Sequence, residues 1–136
     1  MVRLRSNRIR VLSGATPTYD RIGLSYSEVR RADPRFEAAI WEALGDAKSV
    51  LNVGAGAGSY EPKDREVIAV EPSPVMLAQR PPDAARAIQG VAESLPLEDK
   101  SVDATMGVFT MQHWDDVDHG LTEVLRVTRK RIAFLT

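Results

Sequence analysis

The sequence predicts an α/β fold, a doubly wound parallel sheet. Three observations carry this. Short apolar segments at 49–53, 66–70, 87–89, 102–109 and 132–135 read as strands. Amphipathic or capped helical segments lie between or beside them. The first strand runs directly into the glycine-rich turn GAGAG at 54–58. Strands that alternate with helices pair in parallel through right-handed crossovers.

Taken in order, residues 1–18 show no clear hydrophobic period and end in a Ser/Gly/Thr/Pro-rich stretch, so they are expected to form an arm, with one domain over 19–136. Asp33-Pro34 opens the first helix as a cap followed by a first-turn proline. Phe36, Ile40 and Leu44 recur every fourth residue, and Gly45 ends the run. Ser49–Val53 is a buried strand and 66–70 a second. The intervening segment is just long enough for a parallel crossover, and Pro62 keeps any helix within it short. Ser73-Pro74 starts a helix bearing Val75, Met76 and Leu77, and Pro81-Pro82 stops it. A third strand at 87–89 and a polar turn at 98–101 precede the fourth strand, 102–109. Asp115 or Asp116 caps a helix with Val117, Leu121, Val124 and Leu125 on one face; Arg126, Arg129 and Lys130 suit its carboxyl end. The fifth strand begins at 132.

Composition narrows the function. At 136 residues there is room for one domain and not two. The net charge of −1 gives no global attraction to nucleic acid or an acidic membrane. Arg3, Arg5, Arg8 and Arg10 form a local basic cluster, read as a solvated arm in preference to a nucleic-acid contact. The chain has no cysteine, which excludes disulfides, thiolate metal sites and cysteine nucleophiles. With His113 and His119 the sole imidazoles, no metal site is expected. The basic N-terminus lacks the apolar run of a secretory signal and no stretch is long enough to span a bilayer, so a cytoplasmic location is the default.

Ligands of doubly wound sheets bind beyond the carboxyl ends of the strands, where strand order reverses. That edge carries the glycine turn, Glu71, Ala92-Glu93 and the segment 109–114. Glycine lets a ligand press against bare backbone; an acid at the tip of the second strand can accept hydrogen bonds from both ribose hydroxyls. Taken singly, the first could be a plain tight turn and the second a surface charge; together they indicate an adenosyl ligand. A dinucleotide site wants G-x-G-x-x-G and a helix N-terminus for pyrophosphate. Here Ser59 stands at the third glycine and the helix is cut short, which fits a ligand without phosphate, such as S-adenosylmethionine.

The segments VLNVGAGAG at 50–58, VEPSPVML at 70–77, GVAESLPL at 90–97 and SVD at 101–103 resemble successive motifs of the class I methyltransferases. The nearest subgroup is the small-molecule enzymes related to the ubiquinone/menaquinone C-methyltransferases, and the likeness runs from about Tyr19 to the last residue. The resemblance implies a Rossmann-like sheet in the order 3-2-1-4-5. It also implies S-adenosylmethionine as cofactor, S-adenosylhomocysteine as product, and a small-molecule methyl acceptor. Gly54, Ala55 and Gly56 would lie against the methionine moiety, and Glu71 would bind the ribose. Pro72 and Met76 would cover adenine, although Met76 also reads as plain helix core. Ala92 and Glu93 would meet the adenine edge, and Phe109 and Thr110 the methyl-donor side. Tyr19, Tyr26 and Arg30 resemble a lid. Asn52 stands where the family usually has an acid near the ammonium group, and Val91 where an aspartate commonly reads the adenine amine. His113 is the candidate general base, beside a reading as a packing residue next to Trp114.

The family's sheet usually has seven strands, the last two antiparallel, so those final strands are expected to be missing here. The exposed fifth strand would then be an unprotected edge, suited to pairing in a homodimer. A non-catalytic adenosyl-binding or remnant domain, and an NAD-dependent oxidoreductase, are the alternatives to a methyltransferase.

Overall fold

The computed structural model describes residues 2–3 and 32–136. Tyr19, Tyr26, Arg30, Arg5, Arg8 and Arg10 lie outside the described residues. Helix α1 spans Pro34–Leu44, strand β1 Ser49–Val53 and β2 Glu66–Glu71. Helix α2 (Pro74–Ala78), β3 (Arg86–Gln89) and β4 (Val102–Val108) follow. A 3-10 turn at Met111–His113, helix α3 at Val117–Val127 and β5 at Thr128–Leu135 complete the described chain. The five strands form one sheet in the order β3-β2-β1-β4-β5, parallel throughout.

Each helix starts where a short polar side chain satisfies an orphan N–H. Asp33 accepts from Arg35 N at 2.8 Å, Ser73 from Met76 N at 3.2 Å, and Asp116 from His119 N at 3.0 Å. The helix α1 ends at Gly45, whose carbonyl, like that of Ala47, accepts from Arg65 Nη1 at 3.0 Å.

The central strand β1 is buried along its whole length, as a strand covered on both faces must be. Alternation along the strand separates two cores. Leu51 and Val53 join Ile68, Val70, Leu95, Leu97 and, from α3, Val124 and Val127. Val50 turns the other way, toward Ile40 and Leu44 of α1 with Ala104 and Met106 of β4. So α1 and α3 cover opposite faces.

Three details depart from the sequence reading. The crossover 54–65 contains no helix at all. The strand β5 begins at Thr128, four residues earlier than expected. Arg129 is part of that strand, and its guanidinium holds Asp103 at 2.9–3.0 Å instead of closing a helix. The inward face of α3 is Gly120, Glu123, Val124 and Val127, whereas Val117 is 40% and Leu125 60% exposed. Glu123 is tolerated inside because Leu95 N donates to it at 3.0 Å and Arg126 pairs with it. Arg126 also donates to the carbonyls of Leu95 and Leu97 and to Asp99, clamping the 95–99 loop onto α3.

Candidate cofactor site

Where β1 ends, the chain leaves the sheet but stays attached to β2: Gly54 N and Ala55 N both donate to Val70 O, at 2.8 and 3.2 Å. Gly54 has φ +67° and Gly56 φ +55°, a conformation that side chains resist. Space is equally decisive at Gly54, where a Cβ would lie 1.8 Å from Thr110 Oγ1. The buried Thr110 thus packs on bare backbone, which joins the end of β4 to the glycine loop. At Gly56 a Cβ would stand 3.1 Å from Met76 Cε of α2.

The loop and the acid of β2 touch. Glu71 is 1% exposed; its Oε1 accepts from Gly56 N at 2.8 Å and its Oε2 from Ser73 N at 2.7 Å. A carboxylate offers about four lone-pair directions, and Gly56 N and Ser73 N each take one. Phe109, just past β4, has φ +50°. A bulky residue in the left-handed region is strained, and such strain concentrates at functional sites. Its ring meets that of Phe36 from α1 edge-on at 5.7 Å.

A cavity of about 40 Å³ lies at this convergence. Of the residues expected from the sequence, Asn52, Gly54, Ala55, Gly56, Met76 and Phe109 line it. Glu71 and Thr110 stand behind the loop as its direct supports. Pro72 is half-buried and its carbonyl accepts from Gln89 Nε2 at 3.2 Å. Ala92 belongs to the core beneath α3. The Glu93 carboxylate is directed to the start of α3, accepting from Asp115 N at 3.1 Å. His113 is exposed on the 3-10 turn. Asn52 is buried, with Nδ2 donating to Glu61 Oε2 at 2.8 Å.

Sequence reasoning missed four contributors. Tyr60 also lines the cavity, and it ties the loop to α1: its hydroxyl accepts from Asp33 N at 2.9 Å and its carbonyl from Trp41 Nε1 at 3.0 Å. Phe36 was legible as helix core, but its place over Phe109 is a tertiary consequence. Glu61 and Arg80 form a buried ion pair beside the loop.

The fit to an adenosyl sulfonium can be judged on these features. Pyrophosphate needs a helix N-terminus. No helix follows the glycine loop, and the first turn of α2 has Met76 N occupied by Ser73 Oγ. What lines the mouth is bare peptide, with the Glu71 carboxylate directly behind the loop, where a diol reaches it once the loop backbone shifts. Room for about three waters exists at roughly 10–15 Å³ each, so a nucleoside needs Met76, Phe109 or Tyr60 to move aside.

This geometry defines a doubly wound domain whose glycine loop and second-strand acid meet at the strand-order reversal. The chain belongs to the methyltransferase domain family, which matches residues 51–135. An uncharacterized methyltransferase of Mycobacterium tuberculosis, Rv3342, is 36% identical over 117 residues, covering 79% of this chain and 47% of that protein. A SAM-dependent methyltransferase of Thermotoga maritima superposes with a TM-score of 0.72 at 28% identity, over 82% of this chain and 56% of that one. The structure of YcgJ from Bacillus subtilis gives 0.59 at 32% identity, over 66% and 44%. The chain spans about half the length of the curated relatives it matches.

Proposed function

We propose that this chain binds S-adenosylmethionine at the mouth formed by 54–56, Glu71 and Phe109-Thr110, and that it serves methyl transfer to a small-molecule acceptor. The observation that carries the reading is the 2.8 Å bond from Gly56 N to Glu71 Oε1, in a mouth with no helix to hold phosphate. The same lack of a helix disfavours the NAD-dependent alternative.

When bound, the cofactor supplies a methyl group on a sulfonium, already a good leaving group, so positioning donor and acceptor contributes much of the rate. The chain's own residues do that positioning. Glu71, behind the loop, accepts from the ribose hydroxyls. Gly54, Ala55 and Gly56 admit the methionine moiety to van der Waals contact. Met76 and Pro72 cover adenine, and the backbone at Ala92-Glu93 meets its edge, since the Glu93 carboxylate is directed elsewhere. Phe109 and Thr110 bound the side from which the acceptor approaches. His113, exposed at that edge, takes the proton from an oxygen or nitrogen acceptor.

Calorimetric titration separates the readings. S-adenosylmethionine and S-adenosylhomocysteine are expected to bind in preference to NAD. Preferential NAD binding would overturn the cofactor assignment. Binding of both adenosyl compounds without transfer to any acceptor pool would favour a non-catalytic adenosyl-binding domain.

A further inference from the structure

In a dinucleotide-binding fold, the glycine loop after the first strand runs into a helix whose packing fixes the loop. Here the crossover contains no helix. Something else must hold three left-handed glycines in place, and the structure contains a candidate built from side chains far apart in sequence.

Arg80, just beyond α2, and Glu61, in the crossover, pair through both nitrogens: Nη2 to Oε1 at 2.6 Å and Nη1 to Oε2 at 3.0 Å. Both side chains are 5% exposed. The same guanidinium donates to Gly56 O at 3.2 Å and to Ala85 O at 2.9 Å, so one side chain ties the glycine loop, the crossover and the segment before β3. The pair also lies against bare backbone at Gly58, where a Cβ would stand 2.9 Å from Glu61 Oε1 and 3.1 Å from Arg80 Nη1. Asn52 completes the group from β1. A carboxylate paired with arginine only accepts, so Asn52 must present its NH2 to Glu61, and the amide orientation is fixed by chemistry. That leaves Asn52 Oδ1 as the amide's remaining polar atom in a residue that lines the cavity.

We propose that Arg80, Glu61 and Asn52 are positioning residues: a buried side-chain latch that takes the place of the crossover helix, holding the 54–58 backbone in its ligand-receiving shape. The inference rests on the adenosyl reading for its ligand, though not for the latch itself. Burying an ion pair is a poor device for stability, because apolar residues of similar volume often serve as well. Its bidentate geometry and extra donors instead fix position.

This gives a test in which stability and positioning diverge. In E61L/R80M the melting temperature is expected within about 5 °C of the parent. Affinity for S-adenosylhomocysteine falls at least ten-fold, and amide hydrogen exchange at Gly56 and Gly58 without ligand accelerates at least ten-fold. N52D sets two carboxylates within hydrogen-bond reach and is expected to loosen the loop and weaken binding similarly. N52D/E61Q, nearly isosteric, restores one amide and one acid and recovers part of both, a charge-dependent rescue that mere packing would not give. Parental affinity and exchange in E61L/R80M would overturn the proposal. If that variant does not fold, N52D without effect, or unrescued by E61Q, overturns it equally. Should the parent chain bind no S-adenosylhomocysteine, the cofactor reading fails, and the latch stands or falls on ligand-free exchange alone.

Discussion

Replacing Gly54 with alanine places a methyl group 1.8 Å from Thr110 Oγ1 and 2.8 Å from Thr110 Cβ, on a backbone with φ +67°. Two costs add. A side chain in the left-handed region costs about 1–2 kcal/mol. Forcing a methyl into a packed site whose neighbour is itself buried costs roughly 1–3 kcal/mol more. Gly54→Ala is therefore expected to destabilise the chain by about 2–5 kcal/mol. In urea unfolding this lowers the midpoint by about 1–2.5 M, at a slope of roughly 2 kcal/mol/M. The cycle with Thr110→Gly isolates the steric part: removing the whole threonine side chain vacates the overlap, so the two changes should couple favourably by about 1–3 kcal/mol. If Gly54→Ala unfolds within about 0.5 kcal/mol of the parent, or the cycle shows no coupling, the account of why bare backbone is needed there is wrong.

Glu71→Gln keeps the shape but loses the charge that Gly56 N and Ser73 N point at; calorimetry should show at least ten-fold weaker S-adenosylhomocysteine binding, about 1.4 kcal/mol. The buried hydroxyls of Thr105 and Thr128 share a 2.6 Å bond, and Thr128 also donates to Val124 O. Thr128→Val orphans Thr105 in the core and is expected to cost about 1–3 kcal/mol by chemical denaturation. Acid should unfold the chain partly through two carboxyls. Hydrogen bonds from the Arg35 side chain lower Asp33 to about 2, and Asp103 is lowered by Lys48 N first and then by Arg129. Both pKa values lie below the ordinary 3.8, so each group's contribution is complete above that value and is lost as pH falls through the folded-state value. Melting temperature should decline below about pH 4, and Asp103→Asn should flatten that decline; an unchanged acid limb would remove Asp103 from the explanation.

The helix starts were legible because capping is local: Asp33, Ser73 and Asp116 each reach an N–H two or three residues on. The strands were legible because burial on both faces leaves unbroken apolar runs, whereas their order 3-2-1-4-5 was implied by the resemblance to the class I methyltransferases. The start of β5 was not legible, since Arg126, Arg129 and Lys130 read as a basic helix end. In the fold Arg129 instead lies in the strand and pairs with Asp103 of the neighbouring β4. Leu125 misled the reading of α3 for a related reason. Periodicity counts apolar residues, whereas the inward face includes Glu123, admitted only because Arg126 and Leu95 N satisfy it. At the site, the loop, the acid and Phe109 could be placed by topology. The directions of the Glu71 and Glu93 carboxylates could not, because both bind backbone amides whose positions only the folded chain defines. Tyr60, Glu61 and Arg80 lacked any short-range signature.

A crystal structure of the chain with S-adenosylhomocysteine decides the matter at its root. Both ribose hydroxyls are expected within about 2.5–3.0 Å of the Glu71 carboxylate, with the homocysteine portion against 54–56 and the Phe109 ring displaced. A nucleoside bound away from Glu71, or a Glu71 still sealed beneath the loop while the ligand occupies another surface, would mean that the glycine turn and the acid are a packing arrangement and not a cofactor site.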